Sequence, residues 1–215
     1  MRSSDLKTIL GCLNITYPHE TYVLDDGNRP EVAQLAKDLG CKYIAREKNT
    51  NAKAGNLNNA LRLTNGDFIV TLDADHVPLP HFLDRLLGYF KDEKVAFVQT
   101  PQDFYNIDSF QHRLDKKHRR MWTEQSLFFS VIQPGKDHWN SAFYCGSCGV
   151  LRRKALEAIG GFAEGTVTED IHTSILLHAK GFRSVYHNES LAYGLAPGTT
   201  KPRSEEHTSE LQSPD

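Results

Sequence analysis

From residue 20 to residue 99, short apolar runs that suit strands alternate with amphipathic stretches that suit helices, and nothing else in the chain restricts its fold so much. Residues 20–24, 42–45, 68–72 and 95–99 are rich in β-branched and apolar side chains. Between them, Val32, Leu35, Ala36 and Leu39 share one helical face that opens at Pro30 and stops at Gly40. Pro at a helix start and Gly just past its end are boundary signals with a steric basis. Further helices are predicted around residues 57–61 and over Leu83, Leu86, Leu87 and Phe90. Strand–helix–strand alternation lays helices over the faces of a sheet, so the series predicts an α/β domain with a mostly parallel sheet. Leu6, Leu10 and Leu13, at i, i+4 and i+7, add a short helix ahead of the first strand.

The run over residues 68–72 reads as a buried strand, and it ends at Asp73-Ala74-Asp75-His76. Ligands of open α/β sheets sit beyond the carboxyl ends of strands, which puts these polar groups where a ligand is met. Two carboxylates at i, i+2 repel each other unless a cation lies between them, and a hard divalent ion is the simplest one. The plain alternative is a polar turn with an incidental Asp-x-Asp.

Two more acidic sites end loops or strands, Asp25-Asp26 and Glu169-Asp170, and all three are expected to converge on one edge of the sheet. Thr168 followed by two acids is also a helix N-cap signal. Capping does not exclude chemistry, because only one carboxylate need face the helix dipole. Lys53 stands with small residues at a predicted helix start, where an anionic group is held by its ammonium and by backbone N–H groups. Residues 143–151 are Gly-rich and uncharged, suited to close approach of backbone to a ligand. Cys145 and Cys148 lack a second cysteine pair or a nearby histidine at ligand spacing, which argues against zinc. The basic cluster Lys116-Lys117-His118-Arg119-Arg120 falls in a predicted long surface helix over residues 110–133. A solvated face is its plain reading, with anion binding as the alternative.

Length and composition bound the rest. The 215 residues suffice for one sizeable core, and 39% hydrophobic with 24% charged residues is globular composition. A net charge of -2 argues against nucleic acid as a partner. No run approaches the length of a membrane span, and no secretory leader is visible. Four scattered cysteines suit reduced thiols. Residues 203–214 resemble the conceptual translation of a common sequencing adapter, so residues 203–215 are expected to be an artefactual tail and residues 1–202 the natural domain. The tail holds one arginine and four acids; without it the chain has 24 basic and 23 acidic residues and is close to neutral.

Six segments in one order carry a family resemblance: Leu24-Asp-Asp-Gly27, Asn51-Ala-Lys-Ala-Gly-Asn-Leu-Asn58, Asp73-Ala-Asp-His-Val-Pro78, Val98-Gln-Thr-Pro101, Tyr144-Cys-Gly-Ser147 and Thr168-Glu-Asp170. The series resembles the processive family-2 glycosyltransferases, bacterial cellulose synthase catalytic subunits among them. The resemblance implies a GT-A fold, a nucleotide-sugar-binding α/β domain with a mixed sheet. It implies that Asp25, Asp26, Lys53 and Asp73 contact the nucleotide-sugar, and that Asp73 and Asp75, helped by His76, bind a divalent metal, Mg or Mn. Asp170 would be the general base, and Tyr144, Cys145, Gly146 and Glu169 would line the acceptor. The implied reaction transfers a sugar with inversion from a UDP-sugar, UDP-glucose first, to a growing β-linked polysaccharide. UDP-N-acetylglucosamine for chitin-like or hyaluronan-like polymers, a non-processive transferase and a non-catalytic nucleotide-binding module are the alternatives. A sugar-phosphate nucleotidyltransferase would need a Gly-rich phosphate loop near the N-terminus, which this sequence lacks.

The family's Gln-x-x-Arg-Trp motif is absent, as are its first strand and its membrane helices. The chain is therefore expected to be a soluble part of a parent enzyme held at the cytoplasmic face of the inner membrane, and to be inactive alone.

Overall fold

The computed structural model describes residues 3–105 and 124–195. In chain order its elements are α1 (Ser3–Leu13), β1 (Tyr22–Asp25), α2 (Pro30–Asp38), β2 (Lys42–Ala45), α3 (Ala52–Leu63), β3 (Phe68–Thr71), β4 (Val77–Pro78), α4 (Phe82–Leu86), β5 (Val95–Gln99) and β6 (Asp103–Phe104). They continue as α5 (Glu124–Leu127), α6 (Gln133–His138), β7 (Gly149–Arg152), α7 (Arg153–Ala158), α8 (Glu169–Ala179), β8 (Arg183–Tyr186) and β9 (Ala192–Gly194). A wide π turn, Phe128–Ile132, joins α5 to α6.

β1 and β2 pair in parallel, with Asp25 opposite Ala45, and α2 crosses between them. Pro30 opens α2, and Gly40 at φ +77 lets the Cys41 N–H turn back to the Ala36 carbonyl at 2.8 Å, closing it. The central sheet has the order β3-β7-β5-β8. β5 and β8 run parallel, while β7 enters antiparallel to both β3 and β5, so this sheet is mixed. β3 thereby stands at one end of the sheet order and is largely half-buried rather than fully buried, whereas all five residues of β5 are buried. The direction in which a strand enters a sheet is a tertiary property that its own residues do not encode. β8 and β9 lie beyond the elements that the sequence predicts.

Alternation along the central strands divides the core in two. Val98 and Val150, with Val70 against them, pack on Phe82, Leu86 and Phe90. Phe97 and Leu151, with Ile69, pack on the other side against Ala54 and Leu57 of α3, Leu156 of α7 and Leu177 of α8. This second face places the starts of α3 and α8, which hold Lys53 and Asp170, beyond the same sheet edge as the end of β3. β4, β9 and β6 form a third small sheet, with β9 antiparallel to β4 and parallel to β6. It backs the turn that follows β3.

The predicted helix over residues 110–133 is seen as α5 and the π turn; its earlier part and the basic cluster 116–120 lie outside the described residues, as does the tail. Among the described residues no helix is long and apolar enough to cross a membrane.

Candidate active site

The turn after β3 is closed by one hydrogen bond of its own and pinned by two others, from the segment before β7 and from α1. The Asp73 N–H donates to Ser147 Oγ at 2.9 Å, the His76 N–H to the Asp73 carbonyl at 3.0 Å, and Thr8 Oγ1 of α1 to the Ala74 carbonyl at 2.9 Å. The Asp73 and Asp75 side chains are 38% and 37% exposed, so both carboxylates reach solvent. His76 does not: its side chain is 5% exposed and its ring packs on Gly194, where a Cβ would lie 2.9 Å from Nε2, and near Phe104. Its Nδ1 lies 3.2 Å from Asp75 Oδ1 and 3.9 Å from Asp73 Oδ2, without the alignment of a hydrogen bond. Burial opposes charge on this imidazole, but the adjoining Asp75 carboxylate and Cys148 outweigh it and raise the ring to about 10.

Asp25 and Asp26 point to different places. Asp25 is 2% exposed and accepts five hydrogen bonds, from the Gly27 and Arg29 N–H groups, twice from the Arg29 guanidinium, and from Tyr43 Oη. Burial would raise its carboxyl, yet these donors hold it below the ordinary value. Asp26 is 34% exposed and is gripped by Arg46, Nε to Oδ1 at 2.6 Å and Nη2 to Oδ2 at 2.7 Å. Of the pair, Asp26 alone presents its carboxylate outward.

Lys53 joins the acidic sites. Its Nζ donates to Asp73 Oδ1 at 2.5 Å. Burial works against the ammonium, but Asp73, Glu169 and Asp170 together raise its pKa and keep it charged. Gly146 lies against the same group: a Cβ built there would be 3.3 Å from Lys53 Nζ and 3.6 Å from Asp170 Oδ2. Gly146 has φ +79, a backbone that favours glycine, while the contacts themselves ask only a small shift of the flexible Lys53 ammonium. The end of β3, the Gly146 turn and the starts of α3 and α8 thus meet at one place, with Asp73 and Asp170 both acting on Lys53. Thr168 stands at the N-cap of α8 but makes no side-chain cap bond, whereas Asp170 Oδ1 accepts from the Ile171 N–H at 2.7 Å. Burial first, then the nearby Asp170, raise the Glu169 carboxyl above its usual value. His172, one turn into α8, lines a separate cleft of about 530 Å³ with Arg62 and Glu164.

Buried amides hold the segment around Tyr144–Ser147. Gln99 Nε2 donates to the Ser147 carbonyl at 2.8 Å while its Oε1 accepts from the Cys145 N–H at 2.9 Å. Gln133 does the same for Phe143, donating to its carbonyl at 2.9 Å and accepting from its N–H at 3.3 Å. Tyr144 is 1% exposed; its hydroxyl donates to the Gly146 carbonyl at 2.8 Å and meets Thr71 Oγ1 at 2.7 Å. Ser174 Oγ accepts from the Tyr144 N–H at 2.8 Å and donates to the Asp170 carbonyl at 2.9 Å. Tyr144 therefore supports the site from within, and Cys145, half-buried with its thiol raised to about 12 by burial, and Gly146 form its wall. Gln133, Tyr43 and Arg46 carry no local sign of a role in the sequence. A polar residue in a strand or helix reads as solvated until its partner is seen.

Two exposed carboxylates two residues apart suit a magnesium-like cation, which takes oxygen ligands and is usually held by one or two carboxylates, with substrate phosphates and water completing the shell. Among the described residues no three ligating side chains form a cluster. Lys53 meanwhile neutralises Asp73.

The family profile described as Glycosyl transferase family 2 matches residues 6–160. A cellulose synthase 1 catalytic subunit [UDP-forming] of Komagataeibacter xylinus is 48% identical over 193 residues, which cover 88% of this chain and 26% of the relative. A cellulose synthase catalytic subunit [UDP-forming] of Pseudomonas fluorescens is 44% identical over 193 residues, with the same coverage. The chain spans about a quarter of the length of these relatives. Among solved structures, a mannosyltransferase of Pyrobaculum calidifontis in complex with GDP-Man and Mn2+ superposes with a TM-score of 0.70 at 17% identity, covering 99% of this chain and 61% of that one. The glucosyl-3-phosphoglycerate synthase of Mycobacterium tuberculosis, with Mn2+, UDP-glucose and glycerol 3-phosphate, superposes with a TM-score of 0.60 at 20% identity, covering 99% and 74%. The fold is that of GT-A glycosyltransferases, and the chain belongs to glycosyl transferase family 2, with cellulose synthase catalytic subunits among its relatives.

Proposed function

We propose that this domain transfers glucose from UDP-glucose to the end of a β-linked glucan, with inversion, as part of a cellulose-synthase-like enzyme. The observation that carries the reading is the meeting of Lys53, Asp73, Gly146 and Asp170. One side of that meeting point is cationic and carboxylate-rich, suited to a nucleotide diphosphate; the other is a glycine wall beside a carboxylate, suited to a sugar hydroxyl. The relatives' designation as UDP-forming supports the nucleotide, and their name supports the polymer.

On the donor side, Asp26 faces the nucleotide over the β1 turn, with Asp25 fixing that turn from inside. Lys53 leaves Asp73 for the diphosphate, where its positive charge counts most as the leaving group gains negative charge. Asp73 and Asp75 would hold a divalent cation, with His76 buried behind Asp75; when bound, the cation would neutralise the departing diphosphate. On the acceptor side, Gly146 and Cys145 border the sugar, Tyr144 holds Gly146 in place, and Glu169 lies on the rim. Asp170 accepts the hydroxyl proton as the hydroxyl oxygen bonds to the anomeric carbon and the diphosphate oxygen departs. One base opposite one leaving group gives a single displacement, so an α-linked donor yields a β linkage. In the parent enzyme the domain would work at the cytoplasmic face of a membrane, anchored by other segments.

The test is a chimaera in which this chain replaces the matching segment of the Komagataeibacter xylinus subunit. Asp170→Asn should keep UDP binding within about threefold and lower glucan synthesis at least 10²-fold, the lower range for general-base loss. Undiminished synthesis would remove Asp170 as the base. Synthesis from UDP-N-acetylglucosamine but not UDP-glucose would replace the donor.

A further inference from the structure

Arg46 is charged, follows β2 directly and has a side chain only 8% exposed, and it meets the proposed nucleotide site only through Asp26. Its guanidinium makes four hydrogen bonds. Two go to Asp26, and the others run from Nη1 to the Thr50 carbonyl at 2.6 Å and from Nη2 to the Ala52 carbonyl at 2.8 Å. Those two carbonyls bracket Asn51, and Asn51 and Ala52 have φ of 59° and 40°, a left-handed backbone that an alanine rarely adopts. Lys53 is the next residue. Gly55 leaves room for this arrangement: a Cβ there would fall 2.2 Å from the Thr50 carbonyl oxygen and 2.7 Å from Arg46 Nη1. Asn49 Nδ2 closes the ring by donating to the Asp26 carbonyl at 2.7 Å.

We infer that Arg46 is a positioning residue that locks the left-handed Asn51–Ala52 backbone and so aims Lys53 at the diphosphate, while tying that aim to Asp26 on the nucleoside side. The inference rests on the proposed nucleotide-sugar site. A planar fork is needed, because it must satisfy a carboxylate on one edge and two backbone carbonyls on the other. A lysine in its place keeps the charge beside Asp26 and loses the grip on the carbonyls.

The experiment compares UDP, by titration calorimetry, with uridine, by ligand-observed NMR, both in Mg2+, on the whole chain. Arg46→Lys should weaken UDP about tenfold and leave uridine within about twofold, and adding it to Lys53→Ala should cost no further UDP affinity, since the two act through one group. Gly55→Ala, which presses on the same carbonyl from the other side, should give the same split and carries the test if Arg46→Lys does not fold. Equal losses for UDP and uridine, or losses from Arg46→Lys and Lys53→Ala that simply multiply, would overturn the inference and leave Arg46 as a structural ion pair. A wild-type chain that binds UDP no better than uridine would remove the nucleotide-sugar reading and the inference with it.

Discussion

The two sides of the site are held by different chemistry. On the donor side the fastenings are ionic: Arg46 on Asp26, Lys53 on Asp73, and His76 against Asp75. On the acceptor side they are neutral: Gln99 and Gln133 hold backbone groups of Phe143, Cys145 and Ser147, while Tyr144 and Ser174 reach Gly146 and Asp170. Ion pairs that reach solvent are weak and exchange partners readily, so Lys53 can leave Asp73 when a phosphate arrives. Buried neutral bonds are expensive to break and indifferent to salt. On the donor side Lys53 can thus change partners while Arg46, nearly buried with four hydrogen bonds, stays in place, and the acceptor side keeps Asp170 and Gly146 where they are.

The contrast breaks if the neutral side proves dispensable. Gln99→Leu strands the Cys145 N–H and the Ser147 carbonyl and should destabilise the fold by about 3 kcal/mol, equally at low and high salt, as read by urea unfolding. Tyr144→Phe keeps the ring packed and removes only the bonds to Gly146 and Thr71; a loss of about 1.5 kcal/mol is expected in the same assay. Lys53→Ala, by contrast, should change stability by less than about 1 kcal/mol, since its pair with Asp73 is about 40% exposed on both sides, and that change should fade with salt.

A pH titration sharpens the comparison further. Glu169 has its carboxyl raised above 4.5, chiefly by burial, so between 4.5 and the raised value the folded chain binds more protons than the unfolded one. Its contribution to stability is therefore complete below pH 4.5 and declines as pH rises through that window. Glu169→Gln should match the wild type near pH 4 and exceed it slightly at pH 7 in thermal unfolding. A variant less stable at pH 7 would reverse the sign.

Much of the ionic side is legible in the sequence and little of the neutral side is. Carboxylates at strand ends stand out because an apolar run stops at them, and Lys53 stands out because small residues follow it into a helix. Gln99 sits in a recognisable Val98-Gln-Thr-Pro101 segment, but nothing local says that its amide faces a backbone segment nearly fifty residues away. The fold shows the same division. The βαβ series from β1 to β3 follows from local periodicity, whereas the antiparallel entry of β7 is set only when Val150 and Leu151 pack from both faces. β8 is hidden because its inward positions, Ser184 and Tyr186, are polar at one and amphipathic at the other.

The central claim, an ionic side that takes a metal-bound diphosphate, is tested most directly by titrating UDP into the chain in Mn2+ and then in chelator. The account predicts binding in Mn2+ that weakens at least tenfold when the metal is removed, with Asp75→Ala reproducing the loss in the presence of Mn2+. Equal UDP affinity with and without the metal would contradict it.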